Sequence, residues 1–186
     1  MNRVEIHEIE GVELINVAHK SDERGFFSKF YEGDNPKSPM DEFDLTSLAL
    51  SGNTAKGTLR GLHFQSHPFQ EAKMLSCISG KTFDVIVDLR PRSLTLGKWA
   101  SSELDEAIPR ILKLPKGIAH GFQTLEPNTK ILYALSSAYS QDHAQTLDYQ
   151  DKTLEIAWPV AVSKVSERDS KGLTLEAAIA IASRGH

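Results

Sequence analysis

Two short segments, Leu59-Arg60-Gly61-Leu62-His63-Phe64-Gln65 and Pro115-Lys116-Gly117-Ile118-Ala119-His120-Gly121-Phe122, each set a histidine in a strand-like run beside glycine. The first adds an arginine. An imidazole can take and return a proton near neutral pH, and a guanidinium can hold a phosphate or carboxylate by two parallel hydrogen bonds. Together they predict a small anionic substrate on which a proton is moved. Strict alternation puts Arg60 and His63 on opposite faces of a strand. Both reach one site if Gly61 breaks the register, as a bulge does.

Such side chains need strands to carry them. Phe83, Val85, Val87 and Leu89 alternate with Thr82, Asp84, Ile86 and Asp88, a period of two that predicts a strand from Thr82 to Leu89. Lys130 to Tyr139 alternates too and places Ile131, Tyr133, Leu135 and Tyr139 on one face. Six residues of regular strand separate Tyr133 from Tyr139 by roughly 20 Å. Ser79-Gly80-Lys81, Arg90-Pro91-Arg92, Leu114-Pro115-Lys116-Gly117 and Glu126-Pro127-Asn128 read as turns, and Gly33-Asp34-Asn35-Pro36-Lys37-Ser38-Pro39 as a loop. Many short strands at this spacing favour a sandwich or barrel over a parallel α/β fold. Helix is scarce. Leu173 to Ala182, with Leu175, Ile179 and Ala182 on one stripe, is the best candidate. The predicted class is all-β, a single-domain barrel over residues 1–186 with a small C-terminal helix.

Composition narrows the functions open to such a barrel. At 186 residues the chain is long enough for one domain with a real core, and 40% hydrophobic and 25% charged residues describe a soluble globular protein. A net charge of −4 argues against a nucleic-acid partner, so an anion has to be held by a local cluster of Lys and Arg. One cysteine, Cys77, excludes an internal disulfide and fits a reducing compartment. Residues Met1 to Gly11 carry Glu5, Glu8 and Glu10 without an apolar run, and no stretch reaches the roughly 18 apolar residues of a spanning helix. Neither a signal peptide nor a membrane association is expected, and the expected location is the cytoplasm.

The second segment reads Pro-x-Gly-x-x-His, which resembles the second motif of the cupin β-barrels. Metal-binding cupins carry a His-x-His pair, a glutamate and the histidine of that second motif. Here His63 and His120 stand at suitable places, but the second histidine of the pair is Gln65; Glu71 and His67 are the nearby alternatives. Zinc and iron sites want three or four imidazole, thiolate or carboxylate ligands, and glutamine substitutes poorly. No metal and no cofactor are expected. Burial of both histidines for packing alone remains the structural alternative.

From Asp22 to Asp169 the chain resembles the sugar-nucleotide 3,5-epimerases, the dTDP-4-dehydrorhamnose 3,5-epimerase family. The matching stretches are Asp22-Glu23-Arg24-Gly25-Phe26-Phe27, Leu59 to Gln65, Lys73-Met74-Leu75, Gly80 to Arg90, Pro115 to Phe122, Ile131-Leu132-Tyr133 and Glu155-Ile156-Ala157-Trp158-Pro159. The resemblance implies a cupin, or double-stranded β-helix jelly-roll, barrel and an epimerase of deoxysugar biosynthesis. It would invert C3, C5 or both on a nucleotide-linked 4-keto-6-deoxy sugar. That chemistry needs a base for the α-proton, a cation or donor for the enolate oxygen, and an acid on the opposite face. By resemblance the base is His63 paired with Asp169, and the acid is Tyr133. Lys73 lies close to the sugar oxygens and His120 contacts substrate. Arg60 is a diphosphate ligand, Arg168 is a substrate-binding residue, and Tyr139 stacks on the base, although Tyr139 could also simply cover a barrel rim. Arg24 is supplied from the neighbouring subunit of a homodimer.

The chain also departs from that pattern. Leu48 and Leu50 replace a glutamine and an asparagine that contact the nucleotide, Lys29 and Ala144 replace glutamates, and Arg168 replaces a lysine. Ala134 replaces a lysine after Tyr133, and the segment Asp148-Tyr149-Gln150 is changed. A polar partner lost from a base edge costs roughly 1–3 kcal/mol, which relaxes or changes the nucleotide held, for example to CDP or GDP. A metal-dependent cupin oxygenase and a non-catalytic sugar-binding cupin are the readings from other classes.

Overall fold

Turn chemistry and period-two alternation divide the chain into short antiparallel strands. The computed structural model describes residues 2–6, 8–30 and 43–184, so the predicted Gly33–Pro39 loop lies outside the described residues. In chain order the strands are β1 (Asn2–Ile6), β2 (Glu13–Asn16), β3 (His19–Asp22), β4 (Gly25–Ser28), β5 (Ser47–Asn53), β6 (Leu59–Gln65) and β7 (Lys73–Ser79). They continue as β8 (Lys81–Asp88), β9 (Trp99–Asp105), β10 (Arg110–Leu114), β11 (Ile118–Thr124), β12 (Thr129–Leu135) and β13 (Ala144–Thr146). A 3-10 turn (Asp169–Lys171) and helix α1 (Leu175–Ala182) follow. The predicted turns fall between strands. Gly80 (φ 75°), Gly117 (φ 83°) and Asn128 (φ 57°) supply left-handed backbone at three of them.

One sheet runs β1-β2-β10-β7-β12-β5 and the other β13-β6-β11-β8-β9, with β3 and β4 forming a separate hairpin. This is the jelly-roll of the cupins. Leu14, Leu75, Cys77, Leu112 and Ile131 of the first sheet pack against Ile86, Leu104, Ile118 and Phe122 of the second, filling the barrel. The back of the second sheet buries Leu62, Phe64, Val85, Val87 and Ala119 under Leu175, Ala178 and Ala182 of α1. The back of the first sheet carries a smaller cluster of Ile15, Val17, Met74, Ile111 and Ala134 beneath Phe30 and Phe43.

Strand β8 shows what alternation conveys and what it omits. Its apolar set faces the helix, as period two predicts. Its other set, with Thr82, Asp84 and Asp88, faces the barrel interior and is fully buried. A helix on one face and a barrel on the other leave β8 no solvent side. Helix α1 begins at Leu175, two residues later than its stripe predicts, because the Thr174 side chain caps it by accepting from the Ala177 N–H. Strand β12 ends at Leu135, so the alternation read as far as Tyr139 overshoots. Gln65 pulls the chain away there: its Nε2 donates to the Ala138 carbonyl at 3.1 Å, and its Oε1 accepts from the Ser140 N–H at 2.7 Å.

Candidate active site

Strands β6 and β11 set the site. His63 pairs directly with His120, and Arg60 pairs with Phe122. Between those pairs β6 spends Gly61 and Leu62 where β11 spends Gly121 alone, which is a bulge. The extra residue returns Arg60 to the face that carries His63, as the sequence required. Only glycines permit it. Gly61 has φ +117°, and a Cβ there would stand 2.5 Å from the Gly121 Cα; one on Gly121 would stand 2.6 Å from the Arg60 carbonyl oxygen.

Each histidine has its own carboxylate. His63 Nε2 lies 2.7 Å from Asp169 Oδ1, and Asp169 Oδ2 accepts the Gly61 N–H at 3.2 Å. The Asp169 N–H in turn donates to Ser166 Oγ. Burial favours the neutral acid, but the His63 ring, the Gly61 N–H and Ser166 outweigh it and hold the Asp169 carboxyl below its usual range. An ionised Asp169 fixes the proton on His63 Nε2 and leaves the Nδ1 lone pair for other work. His120 Nε2 lies 2.9 Å from Asp84 Oδ1, and Asp84 Oδ2 accepts the Thr82 hydroxyl. Burial pushes the His120 pKa down against the pull of Asp84, with Lys73 and His63 adding to the downward shift, so this imidazole is neutral. The side chain of His63 is 41% exposed and that of His120 is 4%. His63 alone of the two is open enough to meet a reacting carbon.

Around them lies a cleft of about 370 Å³ whose lining includes Arg60, His63, Lys73, His120, Tyr133, Tyr139 and Arg168. Eight of the nine predicted site residues are thereby accounted for, since Asp169 sits behind His63. Tyr133 is half-buried with its ring edge-on to His120, centroids 6.3 Å apart. Burial, and then the charge of Asp84, push its hydroxyl well above the ordinary phenol value, with Arg60 opposing. The group is therefore a protonated acid. Lys73 is buried, donating to the His63 carbonyl at 3.1 Å and pairing with Glu71 at 3.2 Å. Arg60 Nε donates to Asn53 Oδ1 at 2.7 Å, and Arg168 Nη1 donates to the Tyr139 hydroxyl at 3.3 Å.

Arg24 is the exception. It occupies the β3–β4 turn, pairs with Asp22 at 2.6 Å, and does not line the cleft of its own chain. Tyr139 lies on the loop after β12, so the roughly 20 Å strand spacing between the two tyrosines does not apply. Leu50 borders the cleft, whereas Leu48 borders a separate apolar groove with Phe30, Leu45 and Leu132. The carboxylate of His120, Asp84, went unassigned in the sequence. Its signal was present: an aspartate on the polar register of an otherwise apolar strand.

The residues do not fit a cupin metal. The Nε2 atoms of His63 and His120 are each spent on an aspartate, and the Gln65 amide holds the Phe69–Ser140 loops. Among the described residues no three His, Cys, Asp or Glu side chains converge on one point.

Residues 6–177 match the family model of dTDP-4-dehydrorhamnose 3,5-epimerase. The dTDP-4-dehydrorhamnose 3,5-epimerase of Sinorhizobium fredii is 39% identical over 160 residues, covering 86% of this chain and 82% of that protein. Among solved structures, a 4-keto-6-deoxy sugar epimerase from the novobiocin cluster of Streptomyces spheroides superposes with a TM-score of 0.87 at 33% identity. That match covers 95% of this chain and 88% of the other. The dTDP-4-dehydrorhamnose 3,5-epimerase of Bacillus anthracis, solved with TDP and pyrophosphate bound, gives 0.88 at 34% identity, covering 93% and 98%.

Proposed function

The chain belongs to the dTDP-4-dehydrorhamnose 3,5-epimerase family, and from that membership we propose that His63, Asp169 and Tyr133 carry the proton transfers of a sugar-nucleotide epimerase. The protein is an isomerase of nucleotide-linked 4-keto-6-deoxy sugars, and a single domain performs the reaction. The observation that carries the assignment is the His63–Asp169 pair at 2.7 Å, opening onto a cleft whose wall also holds the protonated Tyr133.

In this reading His63 Nδ1 removes the proton on the carbon beside the ketone, and the ionised Asp169 steadies the imidazolium. The electron pair moves into the enolate, whose oxygen is met by the cationic Lys73. Tyr133 protonates the carbon from the opposite face, and proton return by His63 resets the starting stereochemistry. Neutral His120 accepts from a sugar hydroxyl. Arg60 and Arg168 hold the diphosphate, and Tyr139, 68% exposed at the lip, offers its ring to the base. A second copy of the chain supplies Arg24. Support for that dimer comes from the exposed hairpin itself, where Phe26 and Phe27 are 63% and 65% exposed beside Arg24. A metal-dependent oxygenase is not favoured, because the donors a cupin metal would use are engaged elsewhere. No described helix is long and apolar enough to cross a membrane.

Proton-exchange NMR in D2O with dTDP-, CDP- and GDP-linked 4-keto-6-deoxy sugars tests the reading. Deuterium should enter C3, C5 or both, with inversion, and activity should survive dialysis against EDTA. Absence of exchange with every sugar would overturn the epimerase assignment. A loss restored by zinc or iron would move the protein to the metal-dependent class.

A further inference from the structure

The cleft has a neighbour. A second hollow of about 390 Å³ is lined by Thr58, Leu59, Lys164, Val165, Ser166 and Asp169, and it shares Arg60, His63 and Arg168 with the first. Arg60 and Arg168 therefore stand where the two hollows meet, and Lys164 lines the second beside them. Among the described residues none of the three has a carboxylate partner. Arg60 is tied to the Asn53 amide and Arg168 to the Tyr139 hydroxyl, while Asp169 is spent on His63 and Glu167 on Lys171. In a chain of net charge −4, three exposed cations against the one carboxylate, Asp169, which His63 already engages, leave this hollow locally positive and suited to an anion. The backbone of Lys164 is also pinned. Its carbonyl accepts the Leu59 N–H at 2.8 Å, and it bridges to Thr58, so the lysine stem starts beside the strand that carries Arg60 and His63.

We propose that Lys164 is a third cation for the substrate's diphosphate, which spans the junction between the two hollows and is gripped there by Arg60, Arg168 and Lys164 together. This rests on the epimerase reading for the identity of the anion, but its geometry does not depend on His63 chemistry. Lys164 touches phosphate rather than the reacting carbon, so it acts on binding and not on proton transfer. It makes the site selective for a diphosphate, because a single phosphate engages fewer of the three cations.

The test is inorganic pyrophosphate and dTDP titrated against the whole protein, alongside steady-state kinetics. Lys164→Ala should weaken both ligands about tenfold, raise KM by a similar factor and leave kcat within twofold. Lys164→Arg should restore most of the loss, and the salt dependence of pyrophosphate binding should flatten in Lys164→Ala. The loss for dTMP should be smaller than for dTDP. Unchanged pyrophosphate affinity and KM in Lys164→Ala would overturn the proposal, as would a fall in kcat with KM constant. Failure of the epimerase reading shows separately: wild-type protein would bind pyrophosphate through Lys164 yet exchange no proton on any keto sugar.

Discussion

Two histidines face one another across β6 and β11, and the accessibility of each ring separates their roles. His120 is enclosed with Asp84 and kept neutral by burial, which suits a fixed acceptor. His63 is backed by an ionised Asp169 and opens to the cleft, which suits a base. His63→Ala should lower solvent-proton exchange by about 10²–10⁴-fold while the protein stays folded, and His63→Asn should do no better. Near wild-type exchange in either variant sinks the base assignment. Tyr133→Phe removes only the hydroxyl and should separate the half-reactions. Deuterium still enters the substrate as His63 takes and returns protons on its own face, yet little inverted product forms. Exchange and epimerisation both at the wild-type rate would pass the acid role to another group.

At the scale of elements, a one-residue bulge does the positioning. Gly61 brings Arg60 onto the face of His63 and also gives its N–H to Asp169, so one backbone distortion serves the anion site and the base together. Gly61→Ala should cost about 2–4 kcal/mol and most of the activity, since its Cβ meets the Gly121 backbone at 2.5 Å and its φ disfavours a side chain. A stable, fully active variant would show that the bulge is dispensable. The β8–β9 connection is held by a different device. Buried Asp88 accepts from Arg90 Nη2 at 2.6 Å, from Ser93 Oγ and from Thr95 Oγ1 at 2.6 Å. Burial alone would raise the Asp88 pKa, but these donors outweigh it and hold the carboxyl below its ordinary value. A lowered folded-state pKa means stability that is present above the unfolded value and lost as pH falls through the folded one. Asp88→Asn should therefore cost about 2–4 kcal/mol at pH 7. In urea melts across pH, that gap should persist down to about pH 4 and close below it. A gap that does not change under acid conditions would contradict the linkage.

At the scale of the whole molecule, the cleft of one chain is lined by seven of the nine predicted site residues with Asp169 behind His63, and the ninth, Arg24, sits on an exposed hairpin that cannot be credited to its own cleft. If a second copy supplies Arg24, mixing the inactive His63→Ala protein with a weakened Arg24→Ala protein should restore one wild-type site per mixed dimer. Recovery toward about a quarter of wild-type activity after subunit exchange is expected for random pairing. A mixture no more active than the sum of its parts would place Arg24 outside the site. The amino-acid sequence by itself determined the strand-rich class, the turn positions, the C-terminal helix stripe and the kind of chemistry. Each of those is written in local periodicity or in a residue's own functional group. The roles of Asp169 and Tyr133 were legible only through a family resemblance, because no local signal ties Asp169 to a histidine 106 positions earlier. Tertiary structure alone decided that Asp84 belongs to His120, that β8 has no solvent face, that β12 stops at Leu135, and that Lys164 meets two arginines at one hollow. Those outcomes depend on which strands become neighbours, and neighbour choice follows from burying apolar faces across the whole barrel rather than from any window of sequence.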